Sequence, residues 1–275
     1  MRLPVAVEAV GAAVSLGGRV VWKDLDVHVD RGSFTAVLGP NGVGKSTLLR
    51  AILGLQPLTA GRLTVLGAPP GRARARIGYL PQRRSFDPGL RVRGVDVVRL
   101  GLDGTRWGVP LPFAGPGRRV RDERRRVAAA LDRVGASTYA RRPVGQVSGG
   151  EQQRLLIAQA LVRSPELLLL DEPLDSLDIT NQGSVAALVQ SVCRQEGVTV
   201  IMVAHDVNPI LAYVDQVVYL ATSGAVSGPP QEVINGPTLS RLFDTTIEVL
   251  TTSDGRLVVV GQPEPPAVHA DRHAP

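Results

Sequence analysis

Hydrophobic and polar positions divide the chain into three regimes. The first 38 residues follow a strand pattern. Leu25, Val27 and Val29 alternate with Asp24, Asp26, His28 and Asp30, the two-residue period of a half-buried strand, so His28 belongs to a polar surface. Residues 3–10 and 20–29 are apolar-rich; Gly17-Gly18 and Asp30-Arg31-Gly32 break them. Residues 34–38 predict a short buried strand. Residues 46–53 predict the start of a helix, carrying Leu48, Leu49, Ile52 and Leu53. Two more strands are expected at 61–66 and 76–80, the second closed by Pro81-Gln82.

Residues 83–165 change character. Glycine, proline and arginine dominate 83–121, and 101–117 reads as a loop around Trp107, Pro110, Pro112 and Pro116. Val127, Leu131 and Val134 then recur at helical spacing. The run Arg118-Arg119 to Arg124-Arg125-Arg126, with Asp122 and Glu123 inside it, reads as a solvated helix face. From 166 an α/β rhythm returns. Residues 167–170, 198–204, 217–221 and 247–260 predict strands, and 181–195 a helix. The tail from 261 has prolines at 263, 265, 266 and 275 and reads as disordered.

Composition narrows the picture. A chain of 275 residues, 44% hydrophobic and without an obvious repeat, suits one or two domains with a sizeable core. No stretch reaches the ~18 apolar residues of a membrane-spanning helix. The opening run 1–14 is mildly apolar behind Arg2, as in a signal peptide. Glu8 interrupts it and no clear cleavage site follows, so a first strand and an intracellular chain are expected. Cys193 is the only cysteine, which excludes an intrachain disulfide and predicts a buried small apolar side chain. The net charge of +6 rests on arginine, since Lys23 and Lys45 are the only lysines. An arginine-rich solvated surface accounts for it; attraction to nucleic acid or an anionic membrane is the alternative. His269 and His273, spaced i,i+4, could share a metal on a helix, but they stand in the proline-flanked tail.

The chemistry concentrates in Gly39-Pro40-Asn41-Gly42-Val43-Gly44-Lys45-Ser46-Thr47. This is the pattern G-x-x-x-x-G-K-[ST], set between a predicted strand and a predicted helix. Its glycines permit backbone angles that a Cβ forbids. Its N–H groups then point inward at a positive helix N-terminus and cradle phosphates. Lys45 is expected to reach the β- and γ-phosphates, and the Ser46 hydroxyl to ligate Mg²⁺. Leu167 to Leu170 followed by Asp171-Glu172 is an apolar strand ending in two acids. In a parallel sheet such a strand delivers its carboxylates to the edge where ligands bind. Asp171 is then the second candidate for Mg²⁺, and Glu172 for orienting and deprotonating water.

The segment Ser148-Gly149-Gly150-Glu151-Gln152-Gln153-Arg154 resembles the signature motif of ABC ATPases. The order of landmarks is similar too: the loop 39–47, Gln82, the signature 147–151, the acidic strand 167–172, Ser176-Leu177-Asp178 and His205. The resemblance covers about residues 3–260. It implies an α/β P-loop ATPase fold spanning about 1–260. A RecA-like core of about 1–82 and 166–230 would carry an N-terminal antiparallel β-subdomain. A helical subdomain would be inserted at about 83–165, and 261–275 left as tail. Residue by residue, it implies that Gln82 touches Mg²⁺ and water, that Asp178 passes between two subunits, and that His205 contacts the γ-phosphate and Glu172. It further implies that Ser148, Gly149 and Gly150, with Glu151 beside them, close on the γ-phosphate of the opposite subunit in an ATP-bound homodimer.

Three positions depart from the family pattern. Val147 stands where leucine is usual, Glu151 where glutamine is usual, and Leu16 where an aromatic commonly stacks on adenine. Losing that stacking costs on the order of 1 kcal/mol; Trp22 is the alternative adenine contact. The segments 85–101, 205–209 and 239–250 are similar to those of zinc/manganese-type metal importers. A single cassette of that kind implies an integral-membrane permease as partner and an extracytoplasmic metal-binding protein acting through it. It implies a peripheral place on the cytoplasmic face of the cell membrane, with no nucleic acid expected. The alternatives are the ATPase of an iron–siderophore or cobalamin importer, and a soluble ABC ATPase serving iron–sulfur assembly or nucleic-acid repair.

Overall fold

The computed structural model describes residues 4–82, 86–103, 118–222, 224–253 and 255–260. Of the loop expected at 101–117, residues 101–103 end a helix and 104–117 lie outside the described residues, as do the histidines of the tail. The chain opens with a long hairpin, β1 (Val5–Leu16) and β2 (Arg19–Asp30), turned by Gly17-Gly18. The apolar-rich stretch read in the sequence ends at residue 10 while β1 continues to Leu16. The register shows why: Ala9 opposes Val27 but Ala12 opposes Leu25, so one extra residue is inserted and the period is re-phased. The N–H of Gly11, at φ 53°, is taken up there by Asp26 at 2.7 Å.

Next come β3 (Phe34–Leu38), α1 (Lys45–Ile52), β4 (Ala60–Val65) and β5 (Ile77–Leu80). A helical stretch comes after them: α2 (Gly94–Asp103), α3 (Arg118–Arg133) and α4 (Gly149–Leu161). The α/β part resumes with β6 (Leu167–Asp171), α5 (Ile179–Glu196), β7 (Thr199–Val203), β8 (Gln216–Ala221) and β9 (Gly224–Gly228). It closes with α6 (Pro230–Val233), α7 (Gly236–Phe243) and a hairpin of β10 (Glu248–Thr251) and β11 (Leu257–Val260). The expected strand at 247–260 is thus two strands, because Thr252 and Gly255 close a turn at 2.9 Å.

Helix α2 carries no legible helical signal because it contains Gly94 and Gly101, both poor helix formers. Packing explains them. A Cβ on Gly101 would lie 2.3 Å from the Gln159 carbonyl oxygen, and one on Gly94 2.7 Å from Leu155, so only glycine lets α2 lie this close to α4.

Among the described residues there are three sheets. One is antiparallel, in the order β2-β1-β4; one is the terminal hairpin; the largest runs β5-β6-β7-β3-β8-β9. In the last, β5 to β8 pair in parallel and β9 is antiparallel. Its central strands are buried on both faces, and their two-residue period splits them between two cores. Leu167, Leu169, Ile201, Val203, Val218 and Leu220 pack with α1 and the antiparallel sheet. Leu168, Leu170, Val200, Met202, Val217 and Tyr219 pack with α4 and α5. Each fully buried leucine contributes about 1.5–3 kcal/mol.

The parallel order also positions the site. Leu80 lies beside Leu170, Asp171 beside Val203, and Val37 beside Val203. Strands β5, β6, β7 and β3 therefore finish along one edge, and the residues just past their ends emerge there. These are Gln82, Glu172, His205 and the loop 39–47. Among the described residues no helix is long and apolar enough to cross a membrane.

Candidate nucleotide site

The loop 39–47 wraps over the start of α1. Gly39 has φ 142°, and a Cβ there would meet the Leu220 carbonyl oxygen at 2.6 Å. Gly44, at φ 101°, is the N-cap of α1 and provides no side-chain cap. A Cβ on it would strike Val21 at 2.4 Å and the Trp22 ring at 2.8 Å. The loop is thus seated directly on β2, and the first N–H groups of α1 remain available for an anion.

Lys45 is only 5% exposed. Its Nζ donates to the carbonyls of Gly39 at 2.8 Å and Pro40 at 3.2 Å, so the side chain folds back along the loop. Burial pushes its pKa down, and the charges of Glu172, Asp175 and Asp171 oppose that shift. A phosphate entering the loop would add negative charge beside a cation that burial has stripped of water, where charge pairing is stronger than at a surface.

Ser46 donates its hydroxyl to Asp171 at 3.1 Å, joining the loop to the end of β6. Burial pushes the Asp171 carboxyl up, against the Ser46 hydrogen bond. A hydroxyl, a carboxylate and the nearby Gln82 amide are hard oxygen donors, a set that fits Mg²⁺. Gln82 Nε2 donates to Glu172, bringing the end of β5 onto that of β6. Glu172 itself adopts φ 50°, a left-handed conformation that costs about 1–3 kcal/mol, while its N–H is held by the Val203 carbonyl at 3.1 Å. Burial raises its pKa first, and the neighbouring Asp175 carboxyl raises it further. A carboxylate so tuned is suited to accept a proton from water. On the far side, His205 Nε2 and Asn41 Nδ2 lie 3.4 Å apart, linking the end of β7 to the loop.

Two further elements carry the signature residues. Ser148 is the N-cap of α4. Its side chain accepts from the Glu151 N–H at 3.3 Å, and its own N–H donates to the Glu151 carboxylate at 2.7 Å, a reciprocal capping box. Asp178 is the N-cap of α5, its carboxylate accepting from the Asn181 N–H at 2.9 Å and the Asn181 amide at 2.6 Å; these bonds hold its pKa down. The two helix starts touch: a Cβ on Gly150 would lie 2.6 Å from Asn181 Oδ1, and one on Gly149 3.6 Å from Leu177.

Gln82, Glu172, Lys45, Ser46, Asp171, Asn41 and His205 are therefore connected within this chain, whereas Ser148, Gly149, Gly150, Glu151 and Asp178 form a second, separate group. Leu16 ends β1 and is 44% exposed. Trp22, the alternative adenine contact, is 0% exposed beneath Gly44, so its ring cannot stack on a base. Its Nε1 has no hydrogen-bond partner among the described residues. Asp175 and Asn181 join the site although no sequence motif marks them. Asp175 was visible as a third acid after Glu172, but its approach depends on the turn at 172–177.

Comparisons with known proteins show the family. The family model described as ABC transporter matches residues 22–175. The zinc import ATP-binding protein ZnuC of Alcanivorax borkumensis is 36% identical over 231 residues, 84% of this chain and 81% of that protein. The zinc transport system ATP-binding protein TroB of Treponema pallidum is 37% identical over 202 residues, 73% of this chain and 72% of that protein. Among solved structures, a chain of an ABC transporter in an inward-facing conformation aligns with TM-score 0.74 and 25% identity, covering 94% of this chain and 99% of its own. The cbiO1 protein of Clostridium perfringens, part of the cbiONQ transporter complex, aligns with TM-score 0.72 and 26% identity, covering 86% of this chain and 93% of its own.

Proposed function

The chain belongs to the ABC transporter family of ATPases, and we propose that it powers import of a divalent metal, zinc or manganese, through a separate integral-membrane permease. The observation that carries the ATPase part is the convergence of Gln82, Glu172, His205 and the loop 39–47 on one sheet edge. The metal rests on relatives named for zinc import and zinc transport.

In this reading the N–H groups of the loop and Lys45 hold the triphosphate. Ser46, Asp171 and Gln82 would hold Mg²⁺, which would neutralise phosphate charge when bound. Glu172 takes a proton from the attacking water, and Gln82, already bonded to it, positions that water. His205 stabilises the charge on the γ-phosphate once it leaves Asn41. Ser148, Gly149 and Gly150 complete the site of a second copy, with Asp178 passing between the two. Two ATP molecules are thereby sandwiched in a head-to-tail homodimer. The helices between β5 and β6 serve as the inserted subdomain, and the assembly sits peripherally on the cytoplasmic face of the membrane. An extracytoplasmic metal-binding protein delivers the cargo to the permease.

Phe86 and Asp87 lie where that permease is expected to press. Phe86 is half-buried and its N–H donates to Gln152 on α4 at 3.2 Å, whereas Asp87 is exposed. Asp87→Arg is therefore the cleaner probe, and it should lower transport more than basal hydrolysis. The deciding experiment is metal uptake by vesicles carrying the ATPase with its permease, wild type against Glu172→Gln. Zinc or manganese uptake should disappear in the variant. Unaltered metal uptake beside lost siderophore or cobalamin uptake would reassign the substrate.

A further inference from the structure

The terminal hairpin lies outside the nucleotide edge, yet one side chain ties it to that edge. Asn208 stands three residues after His205 and is half-buried. Its Oδ1 accepts the Leu257 N–H at 2.7 Å, and its Nδ2 donates to the Leu257 carbonyl at 3.0 Å. The amide thus pairs with the outer edge of β11 as the peptide of a neighbouring strand would. Nδ2 also donates to Asp206 Oδ1 at 2.7 Å, and the same oxygen accepts the Asn208 N–H at 2.9 Å. Both Nδ2 protons and the Oδ1 of this amide are therefore engaged. They join the turn that begins at His205 to a strand 49 residues further along the chain.

That strand is a fixed point. Leu257 and Val259 pack against the core shared with α4 and α5. Its partner β10 follows Ile247, which is 3% exposed and whose N–H donates to Ser240 Oγ on α7 at 2.9 Å. A Cβ on Gly236 would stand 2.9 Å from the Ile247 carbonyl oxygen, so the start of α7 and the entry to β10 touch through their backbones.

His205 is held differently on its two sides. Before it, the Ala204 N–H donates to the Val37 carbonyl at 3.1 Å, which registers that end on the sheet. After it the chain leaves the sheet, and His205 and Asp206 are exposed. Val207 is buried, and its carbonyl accepts the Ile210 N–H at 2.9 Å to close a turn. The Asn208 amide then fastens that turn to β11, which narrows the orientations open to the histidine.

We propose that Asn208 is a positioning residue for His205, and that the terminal hairpin, acting through it, sets the rate of hydrolysis without touching nucleotide. The inference rests on the role given to His205 above. A displacement of about 1 Å at a group that acts in the transition state is enough to slow a reaction many-fold. Ground-state binding belongs to the loop 39–47, so ATP affinity is left alone.

The test measures steady-state hydrolysis and equilibrium ATP binding in the full-length protein for Asn208→Ala, His205→Ala and the double variant. Asn208→Ala should lower kcat by about tenfold. Its ATP affinity should stay within about twofold of the wild type, which also shows that it is folded. The double variant should be no slower than His205→Ala, because a residue that acts through the histidine then has nothing to position. Leu257→Pro breaks the same contact from the other side, removing an N–H that faces Asn208 rather than β10. It should lower kcat in the same way and add nothing to Asn208→Ala. Val258→Thr, on the exposed face of β11, should behave like the wild type. Asn208→Ala as fast as the wild type, a loss of ATP affinity as large as the loss of kcat, or losses that add to those of His205→Ala would each overturn the proposal. His205→Ala as fast as the wild type would overturn the role of His205 and this proposal with it, so the two failures are told apart.

Discussion

The phosphate loop and the signature helix are built on opposite terms. At the loop Lys45 and Asp171 are buried, and the polar groups are tied to one another across the sheet edge: Lys45 to the loop carbonyls, Ser46 to Asp171, Gln82 to Glu172. At the signature, Ser148 and Asp178 are exposed and their side chains are spent on capping their own helices, with Ile179 beside them 71% exposed. One region is internally complete but open to a ligand. The other is stable without a ligand and presents a finished surface. That difference suits the proposed site assembled from two copies, in which each half must hold its shape before the halves meet.

The largest test of the contrast is Glu172→Gln. Removing the base should reduce hydrolysis by roughly 10²–10⁴-fold while leaving the loop's hydrogen bonds to phosphate in place. The variant should then accumulate as a dimer in size-exclusion chromatography with Mg-ATP. A monomer at saturating ATP would break the comparison, because the exposed signature would have no second loop to serve.

Within the loop half, two substitutions should separate ground-state from transition-state contacts. Lys45→Ala removes a charge-assisted contact worth about 1.5–3 kcal/mol, so ATP affinity should fall by roughly 10–100-fold. His205→Ala leaves the buried cradle intact and should lower kcat more than affinity. Equilibrium binding beside steady-state rates checks both; equal losses of affinity would contradict the division of roles.

The same divide decides how much of the molecule was legible in the sequence. The buried half was nearly transparent. All-apolar strands such as 167–170, and a glycine loop placed between strand and helix, leave few alternatives, and parallel pairing fixes where their ends arrive. Its neighbours were less legible. Trp22 has the composition of a base-stacking residue, but only the bulge that pairs Val14 with Trp22 and Ser15 with Val20 reveals that β2 turns the ring under Gly44. Helix α2 was hidden by the glycines that let it pack, and the 247–260 hairpin by a turn at Thr252 to Gly255 inside an apolar run. In each case tertiary contact overrode local pattern.

A smaller effect is expected where the nucleotide leaves the buried cradle. Leu16 offers an apolar surface without a π-face, and Trp22 is unavailable. Leu16→Tyr or Leu16→Trp should therefore tighten ATP binding by up to about tenfold, from a stacking gain of roughly 1 kcal/mol. Titration with a fluorescent ATP analogue measures it. Unchanged binding would mean that the base does not lie against the end of β1.

The smallest effect sharpens the contrast most, because it lies inside the signature cap itself. Glu151 places a carboxylate at the N-terminus of α4, accepting the Ser148 N–H at 2.7 Å. In the free subunit that charge is favourable, since the helix dipole is positive there. When the phosphate of a second copy approaches the same helix end, the two negative charges compete for it. Glutamine retains the acceptor oxygen and hence the capping box, but carries no charge. Glu151→Gln, made in the Glu172→Gln background, should therefore strengthen the ATP-bound dimer by about threefold, roughly 0.6 kcal/mol. The unliganded subunit should lose up to about 1 kcal/mol of stability from the lost dipole interaction. The gain in dimerisation should shrink as salt rises from low ionic strength to about 0.5 M, because the opposing charges are screened. Sedimentation at graded ATP and salt measures the first and third effects, and thermal unfolding the second. A weaker dimer at every salt concentration would show that Glu151 contributes to closure by a direct contact, and that the signature surface is not finished before its partner arrives.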